Sequence, residues 1–440
     1  MTTAKENELM TVIAPGSAAG ALLRRYWQPA ALAVELDDRR PLVPVRLLGE
    51  ELVLFRDERG HLGLLDRHCP HRGADLCFGR LEDGGLRCAF HGWLFDTGGQ
   101  CIEQPGEPLD SHAHRHLRHR AYPCEQRNGI VFAYLGDGTP PAFPAFDCFQ
   151  APVAHTFAFK GWWECNWLQA LEVGIDPVHA SFLHRFHEDE SLDAAYGRQF
   201  RADAAGAGVP LTKILREHHR PSIQLEDTAY GFRLVTTRPL GQGETHYRIT
   251  NLVFPNAIVI PMSAEMTITQ WHVPIDDENC YWYSLFTSFG DPVDRDLMRS
   301  QRLEHHTLPE YRPKLGRSSN WGYDREDQAR RTYTGLGLDV NVQDQWAVES
   351  PGRIHNRARE HLGITDVAIV KYRKLLMQAI RAVQAGDVAP FTPSAAEASR
   401  IRGPIALDAI GPERDQGVSW QQRDRERRAR SSWAQAMERP

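Results

Sequence analysis

The 440-residue chain lacks the features that mark several broad classes of protein. Its 51 basic and 57 acidic residues give a net charge of −6 with no basic stripe, which argues against a nucleic-acid binder. No apolar run is long enough to cross a bilayer, and the N-terminal MTTAKENELM has no signal-peptide core. A soluble cytoplasmic protein with no membrane partner is therefore expected. The eight cysteines are too sparse and irregular for a disulfide framework. No internal repeat is visible. A flavin- or NAD-binding glycine fingerprint is missing, as is the plant-type ferredoxin cysteine spacing.

What remains reads as two or three domains with real cores. Residues 1–41 form an N-terminal segment whose amphipathic stretch, Ala19–Trp27, is stopped by Pro29 and reads as a packing or subunit-contact element. Residues 42–136 have β texture, with strands at Val45–Leu48, Leu52–Arg56, Leu62–Asp66 and Ile130–Leu135 and turns at Asp83-Gly84-Gly85, Asp96–Gly99 and Asn128-Gly129. A proline-rich linker follows, over 137–154. The unit 155–385 opens on a helix expected over Trp162–Val173 and passes through a polar segment at 188–220. Six strands then imply an antiparallel sheet: Ser222–Thr228, Phe232–Arg238, Thr245–Leu252, Ala257–Ile260, Met266–Val273 and Tyr281–Thr287. An amphipathic helix, Val367–Ala385, capped by Thr365 or Asp366, closes the unit. The polar tail, 386–440, with its arginine run at Arg423–Arg430, is expected to wrap or fray. The fold class is α+β.

Two constellations carry chemistry. In the β module, Cys69-Pro-His71 and Cys88-Ala-Phe-His91 place a cysteine beside a histidine on each of two loops. Zinc takes S2N2 sites, but its familiar patterns use wider spacings within each pair. A Rieske [2Fe–2S] centre uses two thiolates on one iron and two imidazoles on the other, and the short C-x-H and C-x2-H spacings favour it. Gly73 and Gly92 flank the loops and suit backbone that must approach sulfur closely. Downstream, Asp176, His179 and His184 form D-x2-H-x4-H, with Asn166 ten residues before the aspartate. Positions five apart diverge by about 140° on a straight helix, so both imidazoles meet one metal only if the helix breaks between them. Gly174, Asp176 and Pro177 are break and cap signals, and the bland reading is that Asp176 merely caps while the histidines pack.

The segment CPHRGADLCFGRLEDGGLRCAFHGWLFD (69–96), followed by Asn166 and the D-x2-H-x4-H motif, resembles the large subunits of Rieske non-haem iron ring-hydroxylating oxygenases. The phthalate dioxygenase-like group, which has no small subunit, is the most similar. The resemblance implies a Rieske [2Fe–2S] domain joined to a helix-grip (START-like) catalytic domain. It also implies Fe(II) at a 2-His-1-carboxylate site. Family members take the carboxylate from an aspartate before the final helix. Asn341-Val-Gln-Asp344-Gln-Trp matches that context, with Asp339 and Glu349 as competitors. Asp176 would join His91 of one subunit to His179 of its neighbour, within a homotrimer or stacked hexamer, and Asn166 would stand behind the ligands near the iron or merely pack. Respiratory Rieske proteins carry a further disulfide; its positions here are Ala74 and Phe90, which leaves the oxygenase type, with Cys77 and Cys101 as core thiols.

Electrons would come from a separate NAD(P)H-dependent reductase of the flavin or ferredoxin type. O2 and an aromatic substrate, often a carboxylate in this group, would meet at the iron for ring cis-dihydroxylation or for oxidative O- or N-demethylation. Arg248, unusual in a core-bound strand, is the candidate carboxylate clamp, or else pairs internally with an acid such as Glu226. Arg185 and Lys213 are further candidates.

Overall fold

The computed structural model describes residues 2–37, 39–189, 209–415 and 418–437. Much of the polar segment expected at 188–220 lies outside them; of the remainder, Leu211–Glu217 is helical.

In the β module, alternation decides which face is inside. Val43, Val45 and Leu47 are buried along Leu42–Leu47, while the residues between them are exposed. This strand pairs with Glu50–Arg56, which pairs with Leu62–Asp66. Four short antiparallel strands form a second sheet: Arg80–Glu82, Gly85–Arg87, Leu94–Phe95 and Cys101–Glu103. Phe55, Leu76, Leu86 and Phe95 share the core under it with Cys69 and Cys88. The N-terminal segment is not confined to the catalytic unit. Its helices Ala4–Thr11 and Ala18–Leu23 do reach it, since Asn7 Nδ2 donates to the His355 carbonyl (3.0 Å) and Ile13 N to Asp277 Oδ1 (2.7 Å). But Gln28–Leu32 is a strand paired with Ile130–Ala133, so the β module draws on residues before 42.

The catalytic unit is built on one antiparallel sheet. Its strands are β1 (Thr156–Trp163), β2 (Ser222–Thr228), β3 (Gly231–Gly241), β4 (Glu244–Val253), β5 (Ala257–Pro261), β6 (Met266–Pro274), β7 (Cys280–Ser288) and β8 (Leu407–Pro412). Neighbours run β1-β7-β6-β5-β4-β3-β2, and β8 also pairs with β4. The expected helix over Trp162–Val173 is half wrong. Trp162 and Trp163 end β1, paired with Tyr281 and Cys280, and the helix runs over Trp167–Gly174. Tryptophan suits either element; the cross-strand partners decide.

Of the two expectations for the tail, the structure shows wrapping rather than fraying. β5 covers only Asn251–Val253 of the β4 edge, and β8 completes it over Glu244–Ile249. An edge otherwise left with unpaired backbone groups is thereby closed. In the following helix, Val418–Arg430, Arg427 and Arg428 are buried on Asp424, and Arg428 also reaches Asp147. The tail is an integral layer of the fold.

Glu172, 7% exposed, ties the helix Trp167–Gly174 to the helix Val367–Gln384. It accepts from Arg357 Nη2 (2.8 Å) and Arg373 Nε (2.6 Å). Burial alone would raise its pKa, but the two guanidinium groups outweigh burial and hold it below the ordinary value. Removing one member of a buried ionic cluster strands the others, at a cost of about 3–5 kcal/mol. Glu172→Gln should therefore lower stability by that much in urea unfolding. Because the folded pKa is depressed, the wild-type advantage should be full above the unfolded value and drain away as pH falls through the folded one. An unchanged unfolding midpoint at pH 7 would show the cluster to be dispensable.

Candidate metal centres

The two cysteine–histidine loops are near copies of each other. Cys69 N donates to the Ala74 carbonyl (2.8 Å) and Gly73 N to the Cys69 carbonyl (2.8 Å). In the second loop, Cys88 N donates to the Trp93 carbonyl (2.9 Å) and Gly92 N to the Cys88 carbonyl (3.0 Å). Gly73 and Gly92 close these turns at φ 75° and 77°, a region that side chains disfavour. The loops bring thiol to thiol and imidazole to imidazole. The Cys69 and Cys88 thiols are near enough to act on each other's ionisation, and the His71 and His91 rings lie 4.4 Å apart, centroid to centroid. Burial pushes the Cys69 thiol up to about 11, against the pull of the His71 and Arg72 backbone N–H groups.

Those N–H groups suit a thiolate held by metal, and the buried His71 Nδ1 has no partner among the described residues. Two like pairs fit a dinuclear cluster, with one pair on each iron, better than four donors around one zinc. Trp93 stacks on His71 (4.3 Å, 7°) and fixes its plane. Phe90 beside His91 is 57% exposed, so the histidine end of the site lies at the surface of the chain. Cys101 is buried and Cys77 half-buried, and both thiols are pushed up by burial, as core thiols are.

Asn166 opens the helix Trp167–Gly174 as its N-cap, accepting from Leu168 N (3.1 Å). Its Nδ2 donates to the carbonyls of Thr11 (2.9 Å) and Asp277 (2.7 Å). Fully buried by these bonds, it is a structural tie that does not line the cavity, which favours the packing role over a place near the iron. Gly174 is required by space: a Cβ there would come within 2.4 Å of Ile258 Cδ1. The chain then leaves the helix, and Asp176 Oδ1 accepts from Val178 N (2.8 Å) and His179 N (3.3 Å). One short 3-10 turn, His179–Ser181, follows, so His179 and His184 escape the helical divergence. The expected break exists, and it brings both imidazoles to one point.

Asp344 meets them from the helix Val340–Glu349, with Oδ1 3.2 Å from His184 Nε2 and 3.9 Å from His179 Nε2. The ligand atoms of all three lie within 4.8 Å of one another, and no other group of three such residues does so among the described residues. Both tautomers are set from behind. His179 Nδ1 donates to the Asp176 carbonyl, and His184 Nδ1 to Gln343 Oε1 (2.7 Å), whose own Nε2 is held by the Gly337 carbonyl (2.7 Å). Each Nε2 is thus left as a lone pair. Burial lowers the pKa of His179 despite Asp176 and Asp344; at His184 the Asp344 carboxylate outweighs burial and raises it. Asp344 Oδ1 is buried with no hydrogen-bond donor among the described residues. Two aimed lone pairs and an orphaned carboxylate oxygen fit a 2-His-1-carboxylate ion.

The competitors serve elsewhere. Asp339 caps the same helix, and Glu349 accepts from Glu164 N (2.8 Å) and Trp321 Nε1 (2.7 Å). Gln343, beside Asp344 in the chain, escaped the sequence reading although its position next to a ligand was a usable signal.

The triad opens on a cavity of about 200 Å³ walled by the inner face of the sheet. Arg248 of β4 lines it, and its internal partner is Asp408 of β8 (2.7 Å) rather than Glu226, which pairs with Arg233. Asp408 also accepts from His246 Nε2 (2.9 Å). Burial and the nearby Arg248 lower the fully buried Arg238 to about 10. Arg185 lies against Phe182 and Tyr333, and Lys213 is exposed; neither lines the cavity.

Residues 26–113 match the Rieske [2Fe-2S] domain family, and residues 133–433 match the LigXa C-terminal domain-like family. The oxygenase subunit of phthalate 4,5-dioxygenase from Pseudomonas putida is 32% identical over 91% of each chain. That of 5,5'-dehydrodivanillate O-demethylase from a Sphingobium strain is 30% identical, over 88% of this chain and 82% of its own. The crystal structure of dicamba monooxygenase bound to dicamba matches with a TM-score of 0.57 at 20% identity, covering 83% of this chain and 99% of that one. Its likeness supports the fold, an all-β Rieske domain with an antiparallel-sheet catalytic domain. The relatives are named as oxygenase subunits of multicomponent systems, which implies a separate reductase. Among the described residues no helix is long and apolar enough to cross a membrane. The chain therefore belongs to the Rieske non-haem iron oxygenases, as an oxygenase component that uses a [2Fe–2S] cluster and Fe(II).

Proposed function

We propose that the protein oxygenates an aromatic carboxylate, by ring cis-dihydroxylation of the phthalate kind. The observation that carries this reading is Arg248 on the wall of the cavity into which the His179–His184–Asp344 triad opens. Arg248 is paired there with the carboxylate of Asp408, and burial lowers the pKa of His246. Arg248 presents its guanidinium there to a substrate anion. Asp408 takes Arg248 Nη1 and the Pro261 carbonyl takes Nη2 (3.2 Å), which fixes the guanidinium plane before substrate arrives.

In this reading Cys69, Cys88, His71 and His91 hold the cluster, and His179, His184 and Asp344 hold the iron. When bound, the iron supplies O2 activation and the cluster supplies electrons singly. The protein holds the ring against the open face of the triad, excludes water with apolar walls, and aims the Nε2 of both histidines at the metal. The surface position of His91 and the part-exposed Asp176 support a homotrimer in which the two sites of neighbouring chains face each other. O- or N-demethylation is the second reading, favoured by the O-demethylase relative. The two reactions start from the same site and differ in which substrate atom lies nearest the iron.

Product profiling over a panel of aromatic acids, with a reductase supplied, decides between diols and dealkylated phenols. For the productive acid, Arg248→Gln should raise KM about 10–100-fold, the worth of a charge-assisted pair, and leave the KM of its neutral amide nearly unchanged. Equal effects on acid and amide would remove the carboxylate from the assignment.

A further inference from the structure

Arg248 has a companion on its own strand. From Thr245 to Val253 every residue of β4 is buried except Arg248 and Thr250, which are half-buried. Both line the cavity. Residues two apart in a strand share a face and stand about 7 Å from each other. The two side chains therefore belong to the same stretch of inner wall, and what they leave exposed they expose to the cavity.

Nothing in the packing around Thr250 asks for a hydroxyl. Leu234 faces it on β3, and Ile260 and Ile268 continue the wall on β5 and β6. Valine has the same shape and suits a strand as well. The Thr250 hydroxyl has no hydrogen-bond partner among the described residues, yet it is not sealed in as the unmet hydroxyls of Thr245 and Thr287 are. It is open to whatever fills the cavity.

Arg248 keeps to its own level of the sheet. Asp408, which takes Nη1 (2.7 Å), is its register partner on β8, and the Pro261 carbonyl takes Nη2 (3.2 Å). A guanidinium has five N–H groups, so three remain for a ligand. A carboxylate held there and an oxygen held by Thr250 must fit, with their hydrogen bonds, into about 7 Å. Substituents on neighbouring ring carbons do so, whereas para substituents point too far apart.

We propose that Thr250 is a specificity-determining residue, whose hydroxyl donates to an oxygen-bearing substituent ortho to the carboxylate that Arg248 takes. This rests on the reading of Arg248 as the carboxylate clamp. An oxygen at that position is favoured over a carbon of the same shape, because only the oxygen meets the waiting hydroxyl.

Calorimetric binding to the purified holoprotein tests it, with 2-carbamoylbenzoate against 2-isopropylbenzoate, which has nearly the same shape. The carbamoyl acid should bind about five- to tenfold tighter. Thr250→Val, with intact cluster absorbance and thermal transition, should abolish that preference, and Thr250→Ser, which keeps the hydroxyl, should retain it. In the 4-substituted pair Thr250→Val should change nothing. Equal affinities of the two ortho acids for the wild type overturn the assignment even if a variant fails to fold. So does a preference that survives in Thr250→Val, or one that depends on Thr250 in the 4-substituted pair. Benzoate against benzamide separates this subsite from the clamp. If benzoate binds no tighter, Arg248 is no clamp and the subsite falls with it. If benzoate binds tighter while the two ortho acids bind alike, the hydroxyl subsite alone falls.

Discussion

Asp344→Ala is expected to purify brown, with its cluster spectrum intact, but with almost no catalytic iron and turnover reduced by about a thousandfold or more. The scale follows from the position of the residue. Losing a group that merely orients a metal ligand typically costs about 10–100-fold, and Asp344 offers its oxygen directly. The graded companion is Gln343→Leu, which removes only the acceptor of His184 Nδ1–H and should fall in that smaller range. Stability should move the other way. Asp344 Oδ1 is buried without a donor among the described residues, so its removal relieves a desolvated carboxylate. Iron-free Asp344→Ala should melt no lower than iron-free wild type. Iron analysis, the EPR signature of the reduced cluster and a thermal scan read all three quantities. Full iron content with retained turnover would falsify the ligand assignment.

Asp176→Asn should keep its cluster, its iron and its subunit assembly, yet lose most of its turnover. The structure makes this substitution unusually clean. Asp176 serves its own chain through Oδ1, which caps the turn, and through its main-chain carbonyl, which orients His179. Asparagine keeps both, since it is as good a cap. What changes is the charge and the second side-chain oxygen, which makes no hydrogen bond to the described residues of this chain. If that oxygen meets His91 of a neighbouring subunit, only passage between the two sites suffers. Reduction of the cluster by the reductase should then run at the normal rate, while its reoxidation with substrate and O2 present slows greatly in stopped flow. Equal reoxidation rates in wild type and variant would leave Asp176 a cap and nothing more.

The chemistry was more legible in the sequence than the walls that shape it. Cys69, His71, Cys88 and His91 stand on short loops whose spacing alone dictates proximity, and the structure brings them together in like pairs. His179, His184 and Asp344 required more: the break after Gly174 was readable, but the arrival of Asp344 rested on resemblance. Strand ends in the sheet fell within a few residues because glycines and prolines bound them. The failures share a cause. Trp162 and Trp163 belong to β1 through partners more than a hundred residues away. Leu407–Pro412 holds an aspartate, a glycine and a proline, and is a strand only because β4 leaves it an edge. Thr250 was invisible because β4 is largely buried on both faces, so a hydroxyl on its inner face reads like any other strand threonine.

The pairing of β8 with β4 has a consequence for synthesis. Arg248 leaves the ribosome well before Asp408, so through much of elongation the guanidinium that should line the cavity has no counter-ion, and the edge of β4 beyond β5 has no neighbour. Contacts this distant in the chain form late and slowly. A strand edge left waiting is the kind that pairs with another nascent copy. The catalytic unit thus cannot finish as its first 230 or so residues emerge, because the strand that closes its sheet follows them in the chain. A premature stop or ribosomal stall between β7 and β8 would release a chain with both metal motifs encoded and an open edge, ready to aggregate rather than to bind iron.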